Sequence, residues 1–537
     1  MGRAAARPLR SGPTVERGGG GGAGSSRRFR APRVGSVAAL IAALVATGCA
    51  PADDAPEAGS DAPEPTPEVV AAGLRPAIRL EGEPPTVFSL DERMAHYHVP
   101  GVSVAVLDDG EIAWAEGWGV ADGETGAPVT PGTLFQAASI SKPVAALTAM
   151  TLVEDGLVGL DDPVNDHLTS WRVPDNEFTA DSVVTLRGLL SHTAGLTVWG
   201  FPGYRKDEPF ANGRPVATNV EVLDGLGNTD SVRVYKEPGV SWQYSGGGYT
   251  VVEQLVEDLT GRPFHEVARE RVLEPAGMVR STYEQPLPED RWDEASRGHL
   301  GDGAEVEGEW HNYPEQAAAG LWTTPTDLLV LSAHLLDILH GEVTDGVVTR
   351  ETLETMLTGH RTGEEGFRAY GLGFGVEGEG DAATFGHGGS NAGFKSNWVV
   401  YRHRGDGAAV MTNGDRGSTL AGEILRSVSA AWDWPGFEPE VRSRRRITEE
   451  EARQYAGEYV LEGEDLVLTV RPGEGGLLLD VPEQGTFTLG LQPDTPDTFF
   501  DFSDGQTLEF QRGDDGSVDA VLVQGQATFV RRPSGGG

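Results

Sequence analysis

Only one cysteine, Cys49, occurs in 537 residues. No disulfide can form within the chain, so what folds must hold by packing alone. Positive charge is scarce as well: 42 Lys and Arg stand against 82 Asp and Glu, for a net charge of −40. Such a surface repels phosphate backbones and argues against nucleic acid as a partner. The acidity reads as a solvation device rather than as a site. Aromatic residues make up 7% of the chain, but 38% hydrophobic residues suffice for a core. There is no HExxH motif. "HEVAR" (His265–Arg269) lacks the second histidine, and His96 and His98 have no partner set, so no metal is expected. No internal repeat and no phosphate-cradling glycine loop occurs; the run Gly246–Gly248 opens a helix instead. The expected cofactor set is therefore empty.

Much of the positive charge lies at the front. Residues 1–48 hold eight arginines and one glutamate. "RRFRAPR" (Arg27–Arg33) precedes the apolar run Val34–Gly48, and Cys49 follows at once. A basic end, an apolar core and small residues before a cut are the marks of an export signal. "ATGC" (Ala46–Cys49) resembles a bacterial lipoprotein box, so residues 1–48 are expected to be a lipoprotein-type signal and Cys49 the lipidated residue. An ordinary cleaved signal is the alternative. Ala50 in place of Asp would favour the outer membrane of a Gram-negative cell, and "SRRF" (Ser26–Phe29) hints at twin-Arg export. No other apolar run is long enough to span a bilayer.

The length, with 74 Gly and 34 Pro, calls for two folded domains with extensive loops and unstructured ends. Residues 49–80, rich in Pro, Ala and acid, read as a tether. "GVSVAVL" (Gly101–Leu107) and "EIAWAEGWG" (Glu111–Gly119) flank "DDG" and predict a hairpin. A second hairpin is expected from "SNWVVYRH" and Gly407–Asn413. Helical periodicity covers Ile140–Glu154, 250–260, 263–273, 325–339 and 417–431. Strands first, helices in the middle, strands and a helix last imply an α/β (α+β) class: an antiparallel sheet closed by both chain ends and flanked by helices. This domain is expected over 81–437. A charged linker follows at 438–450. Seven short β-like runs then predict a small antiparallel barrel over 451–533.

The chemistry starts at "FQAASISKPVAAL" (Phe135–Leu147). Serine is a poor nucleophile without a nearby base. Residues three apart share a helix face, so Ser139 and Lys142 face each other and Ser141 does not. Pro143 is tolerated only in a first turn, where N–H groups are unpaired anyway. Ser139 is therefore expected at a helix start, whose free N–H groups favour an oxyanion. Lys142, desolvated in a cleft, would have a lowered pKa and accept the serine proton.

Other segments carry a resemblance. "VPGVSVAVLDDG" (Val99–Gly110), "GTLFQAASISK" (Gly132–Lys142), "VTLRGLLSHTAGL" (Val184–Leu196), "PGVSWQYSGGGYTVVEQLVEDLTGRPF" (Pro238–Phe264), "AAAGLWTTPTDLL" (Ala317–Leu329) and "FGHGGSNAGF" (Phe385–Phe394) follow in order. Over roughly residues 85–435 the chain resembles the serine β-lactamase and penicillin-binding-protein-like hydrolases, in the branch of class C-related esterases and D-amino-acid peptidases. The resemblance implies a sheet with an added helical subdomain, an acyl-enzyme on Ser139 and no cofactor. It implies that Tyr244 of "YSG" shares the proton with Lys142 as a phenolate. The asparagine expected two residues after Tyr244 is missing, and Ser245 is the candidate to donate to substrate in its place. His387-Gly388-Gly389 stands for the third motif. His387 would orient Tyr244 or polarise the cleft, the two glycines would let substrate lie on the strand, and the N–H groups of Ser139 and Ser390 would form the oxyanion hole. His192 reads as structural; Asn391 is a weak candidate for substrate contact. The final barrel resembles the lipocalin-like appendage of some such peptidases, where it would cap the cleft or mediate oligomers. The resulting reading is an exported serine hydrolase of small esters or D-amino-acid peptides. A D,D-carboxypeptidase or β-lactamase is the alternative, and a non-catalytic binding protein is a third.

Overall fold

A computed structural model describes residues 65–359, 369–461, 466–482, 485–523 and 527–532. The expected signal and Cys49 lie outside them. Eight antiparallel strands form the main sheet: β1 (Gly101–Asp108), β2 (Glu111–Asp122), β3 (Ala127–Pro128), β4 (Ala369–Tyr370), β5 (Gly375–Glu377), β6 (Thr384–Asn391), β7 (Phe394–Tyr401) and β8 (Gly407–Thr412). Their order is β3-β2-β1-β8-β7-β6-β5-β4. Strands from the start and the end of the domain thus meet at the centre, where β1 pairs with β8 from Val102↔Thr412 to Leu107↔Gly407. Successive side chains point to opposite faces. Val102, Val104 and Val106 pack with Leu420, Ile424 and Val428 of a helix over Gly417–Trp432. Ala105 and Leu107 join the larger core on the other face, with Leu328, Leu331 and Leu335 of the helix Pro325–His340. Both faces are covered, which is why β1 is buried from Gly101 to Leu107.

The expected helices are present with shifted ends. That at 325–340 starts on Pro325 behind a Thr324 cap and stops at Gly341, whose φ is +82°; proline at the start and a left-handed glycine at the end suit those positions. The stretch expected at 263–273 is a short α-helix, Phe264–Ala268, running into a π turn, Arg269–Leu273.

The C-terminal part is a closed eight-stranded antiparallel barrel. Seven of its strands correspond to the predicted runs. The eighth, Ala527–Arg531, pairs with both Gly457–Leu461 and Val518–Val523 and closes the ring. Tyr459, Phe499, Phe510, Leu477 and Leu489 fill its inside. The barrel and the sheet domain belong to one compact unit.

Two expected boundaries change. The tether does not extend to residue 80: Val70 and Leu74 are buried against the helix 417–432 cluster, and Ser427 Oγ donates to Val70 O at 2.8 Å. The linker is not free either. Ile78–Leu80 pairs in parallel with Glu440–Arg442, and Ala77 and Ile78 pack on Phe500 of the barrel. A few apolar residues set among proline and acid are enough to dock this arm.

Candidate active site

The turn that carries Ser139 is strained. A 3-10 turn, Ala138–Ile140, leads into α1 (Ser141–Glu154), and Ala138 has φ +49°. Non-glycine residues enter that region at a cost, and such outliers collect at functional sites. Leu321 O accepts the Ala137 N–H at 2.8 Å and pins the turn. Pro143 falls in the first turn of α1, as its missing N–H requires. Ser139 is partly exposed. Ser141 is fully buried, its Oγ accepting the Leu321 N–H at 3.0 Å.

Two groups reach Ser139 Oγ. Lys142 Nζ lies at 3.0 Å and also donates to Ala318 O at 2.7 Å. The Tyr244 hydroxyl lies at 2.9 Å. Lys142 is buried, and no carboxylate among the described residues pairs with it. Burial lowers its pKa to about 7, because an unpaired ammonium in an apolar site is disfavoured. Its Nζ sits 5.0 Å from the centre of the Tyr244 ring. Burial pushes the Tyr244 phenol well above its usual range, with the Ser139 hydrogen bond acting the other way.

Tyr244 stands in an aromatic nest that the sequence did not announce. His192, expected to be structural, stacks 4.3 Å from Tyr244 and 4.7 Å from Tyr370, centre to centre. Its Nδ1 accepts the Ser245 N–H at 3.2 Å, so the neutral ring carries its proton on Nε2. Burial, then the charges of Lys142 and His387, hold it neutral. Tyr370 is the residue that sequence reasoning missed. Its hydroxyl is 2.9 Å from His387 Nε2 and 3.2 Å from Gly373 O. His387 therefore takes Tyr370 as its partner, while its ring centre is 6.4 Å from that of Tyr244. The roles expected for His387 are to orient Tyr244 or to polarise the cleft; its ring lies near that of Tyr244, while its Nε2 meets the Tyr370 hydroxyl.

The third wall is β6. Its pairing with β5 runs from Thr384 only to Gly386, so among the described residues no strand lies beside His387–Asn391 on that side. The Ser139 turn takes this place: a Cβ on Gly389 would stand 2.1 Å from Ala137 O. Gly388 and Ser390 are exposed at the same edge. Gly389→Ala is expected to push the turn outward and lower kcat/KM on the order of 100-fold, read by steady-state kinetics beside a melting curve.

Two expected contacts point away from the cleft. Ser245 caps the helix Gly246–Thr260: its Oγ accepts the Gly248 N–H at 2.9 Å and donates to Thr197 O at 2.9 Å. It is buried and has no proton left for substrate. Asn391 is buried too, its amide donating to Gln136 Oε1 and Ala319 O.

The rim is aromatic. Trp199 is 72% exposed, with its ring 5.8 Å from that of Tyr244. It follows Val198, a β-branched residue at φ +64°, where strain is greatest. Gly246 N–H donates to Trp199 O and Gly247 N–H to Val198 O, at 3.1 and 2.9 Å. The helix behind Tyr244 thus clamps the strained turn that presents Trp199.

Comparison with known proteins agrees with this geometry. The Beta-lactamase family model matches residues 89–430. Penicillin-binding protein 4* of Bacillus subtilis (strain 168) is 22% identical over 81% of this chain and 95% of its own. Esterase EstB of Burkholderia gladioli is 30% identical over 38% of this chain and 56% of its own. The D-amino acid amidase structure from Ochrobactrum anthropi SV3 superposes with a TM-score of 0.51 at 25% identity, over 64% of this chain and 96% of that one. With a serine, a buried lysine and a tyrosine converging on one oxygen inside the matched segment, the chain belongs to the β-lactamase family of serine hydrolases.

Proposed function

We propose that this protein is an exported, lipid-anchored hydrolase that cleaves small esters, or amides of D-amino acids, through an acyl-enzyme on Ser139. The observation that carries the reading is the convergence of Lys142 Nζ and Tyr244 OH on Ser139 Oγ at 3.0 and 2.9 Å. With Lys142 neutral, the 3.0 Å contact runs from the serine O–H to the amine. As Oγ bonds to the carbonyl carbon, its proton passes to Nζ, and the oxyanion forms at the N–H groups of Ser139 and Ser390. The C–O or C–N bond then breaks, and the leaving group takes a proton from Tyr244, which Lys142 restores. The raised phenol pKa suits Tyr244 as a donor better than as a standing phenolate. Water repeats the sequence to release the acid.

Esterase or D-amidase chemistry is favoured over β-lactam hydrolysis. No amide side chain follows Tyr244 and no lysine stands at His387, so the grips on a β-lactam's side-chain amide and carboxylate are missing. The similarity to an esterase and to a D-amino acid amidase supports the same ranking. Trp199 beside Tyr244 adds a surface for an apolar group on the substrate.

A panel of acetyl and phenylacetyl nitrophenyl esters, D-phenylalanine amide and a chromogenic cephalosporin tests this. Turnover should be highest on an ester or the D-amide, and Trp199→Ala should slow the phenylacetyl ester roughly tenfold while sparing the acetyl ester. A cephalosporin as best substrate would overturn the ranking. Labelled palmitate should enter the exported protein, and Cys49→Ala should stop it; label retained by that variant would refute the anchor.

A further inference from the structure

A second cavity, of about 680 Å³, opens between the sheet domain and the barrel. It shares no lining residue with the Ser139 cleft. Its walls come from the arm at 75–88, the helix Leu90–Tyr97, the helix 417–432 and its Arg416 cap, and the barrel segments 486–488 and 501–503.

Charge is what sets it apart. In this acidic chain most partly buried arginines meet a carboxylate. Arg93 pairs with Glu423 and Arg444 with Glu83 on this same wall. Arg75, Arg79 and Arg416 also line the cavity, and among the described residues none of the three pairs with a carboxylate. Arg416 is half-buried. Its hydrogen bond to a backbone carbonyl, His96 O, is a long 3.3 Å, and its Nη1 lies 3.0 Å from where a Cβ on Gly485 would be. Its guanidinium is thus wedged at the joint. Burial, then the charges of Arg93, Arg416 and His98, hold the neighbouring His96 imidazole below its usual pKa. That is the mark of a positive corner. The acids facing the cavity are otherwise engaged. Glu423 serves Arg93 and Tyr97. Glu438 accepts the Gly436 N–H. Asp501 accepts the Ser503 N–H and is raised by burial to about 6, with the charge of Arg416 acting the other way but no ion pair formed between them. The facing wall is apolar: Ile78, Phe88, Phe487 and Phe502. The volume lies in the range of small-molecule sites.

We propose that this cavity binds an amphiphilic monocarboxylate, with the carboxylate on Arg416 and the chain along Phe88, Phe487 and Phe502. A guanidinium takes a carboxylate in a two-point fork, and the aromatic wall takes the methylenes from water. Burial disfavours the charge of Arg416, with Tyr97 and Asp501 acting the other way, so a carboxylate in a fork with its guanidinium would offset the part of that penalty they leave.

Titration calorimetry of decanoate into the full chain tests it. One saturable site is expected. Butyrate, which lacks the chain, and decyl maltoside, which lacks the charge, should each bind at least tenfold more weakly. Binding should persist after Ser139 is blocked by a fluorophosphonate, which separates this site from the catalytic cleft. Arg416→Gln should weaken decanoate at least tenfold and leave melting and nitrophenyl acetate turnover unchanged. Should that variant melt early, Arg75→Gln and Phe487→Ala take its place, each expected to weaken binding severalfold. Absence of saturable heat, equal binding of decyl maltoside, loss of binding on blocking Ser139, or wild-type affinity in folded Arg416→Gln would each overturn the proposal.

Discussion

Ser139→Ala should abolish fluorophosphonate labelling and lower kcat/KM by about four to six orders of magnitude, while Ser141→Ala keeps both. The two serines are two residues apart but occupy different worlds. Ser139 Oγ faces the cleft with Lys142 and Tyr244 on it. Ser141 Oγ is sealed in the core and holds the Leu321 N–H. Losing that acceptor leaves a buried donor unpaired, a penalty of about 1–3 kcal/mol. Ser141→Ala should therefore melt earlier but label and turn over within a few fold of wild type. The contrast is diagnostic because each variant fails in the measurement the other passes. Undiminished labelling of Ser139→Ala would end the proposed mechanism.

Lys142→Gln should lower kcat/KM about 10³-fold or more, and the wild type should show why in its pH profile. The base must be unprotonated to take the serine proton. Burial lowers the Lys142 pKa to about 7, so the free amine dominates above that value and the ammonium below it. Activity should fall as pH drops through about 7, tenfold per unit once well below. Lys142→Gln should lose this limb along with the rate. Tyr244→Phe should be slow but keep the limb, because it removes the donor to the leaving group and leaves the base in place. A wild-type limb near pH 5, or one that survives in Lys142→Gln, would assign the proton to another group.

What the sequence made legible was local. Ser139 and Lys142 are one helical turn apart, so spacing alone brought them together, and Pro143 marked the start of α1. Tyr244 could be placed only through the family resemblance, since 105 residues separate it from Ser139. Tyr370 and His192 escaped as members of the site because an aromatic stack leaves no periodic trace. Ser245 was misread because a helix cap and a substrate donor ask for the same residue type. The arm at 65–80 was hidden by its composition, which is that of a tether although Val70 and Leu74 are core residues. The closing barrel strand, Ala527–Arg531, is short, with mixed burial, and its partner Gly457–Leu461 is remote in sequence.

The central pairing of β1 with β8 has a consequence for how the chain is made. Val102 meets Thr412, and Ile78 meets Glu440. A ribosome that has finished β1 must therefore add about three hundred residues before its partner exists, and loop closure over such a span is slow. Through that interval β1 can pair with β2 as a hairpin, but Val102, Val104 and Val106 lack both the β8 edge and the helix 417–432 that covers them. The nascent chain is then a natural client for holding chaperones, and the order of synthesis itself delays the fold until the last strand of the sheet has left the tunnel.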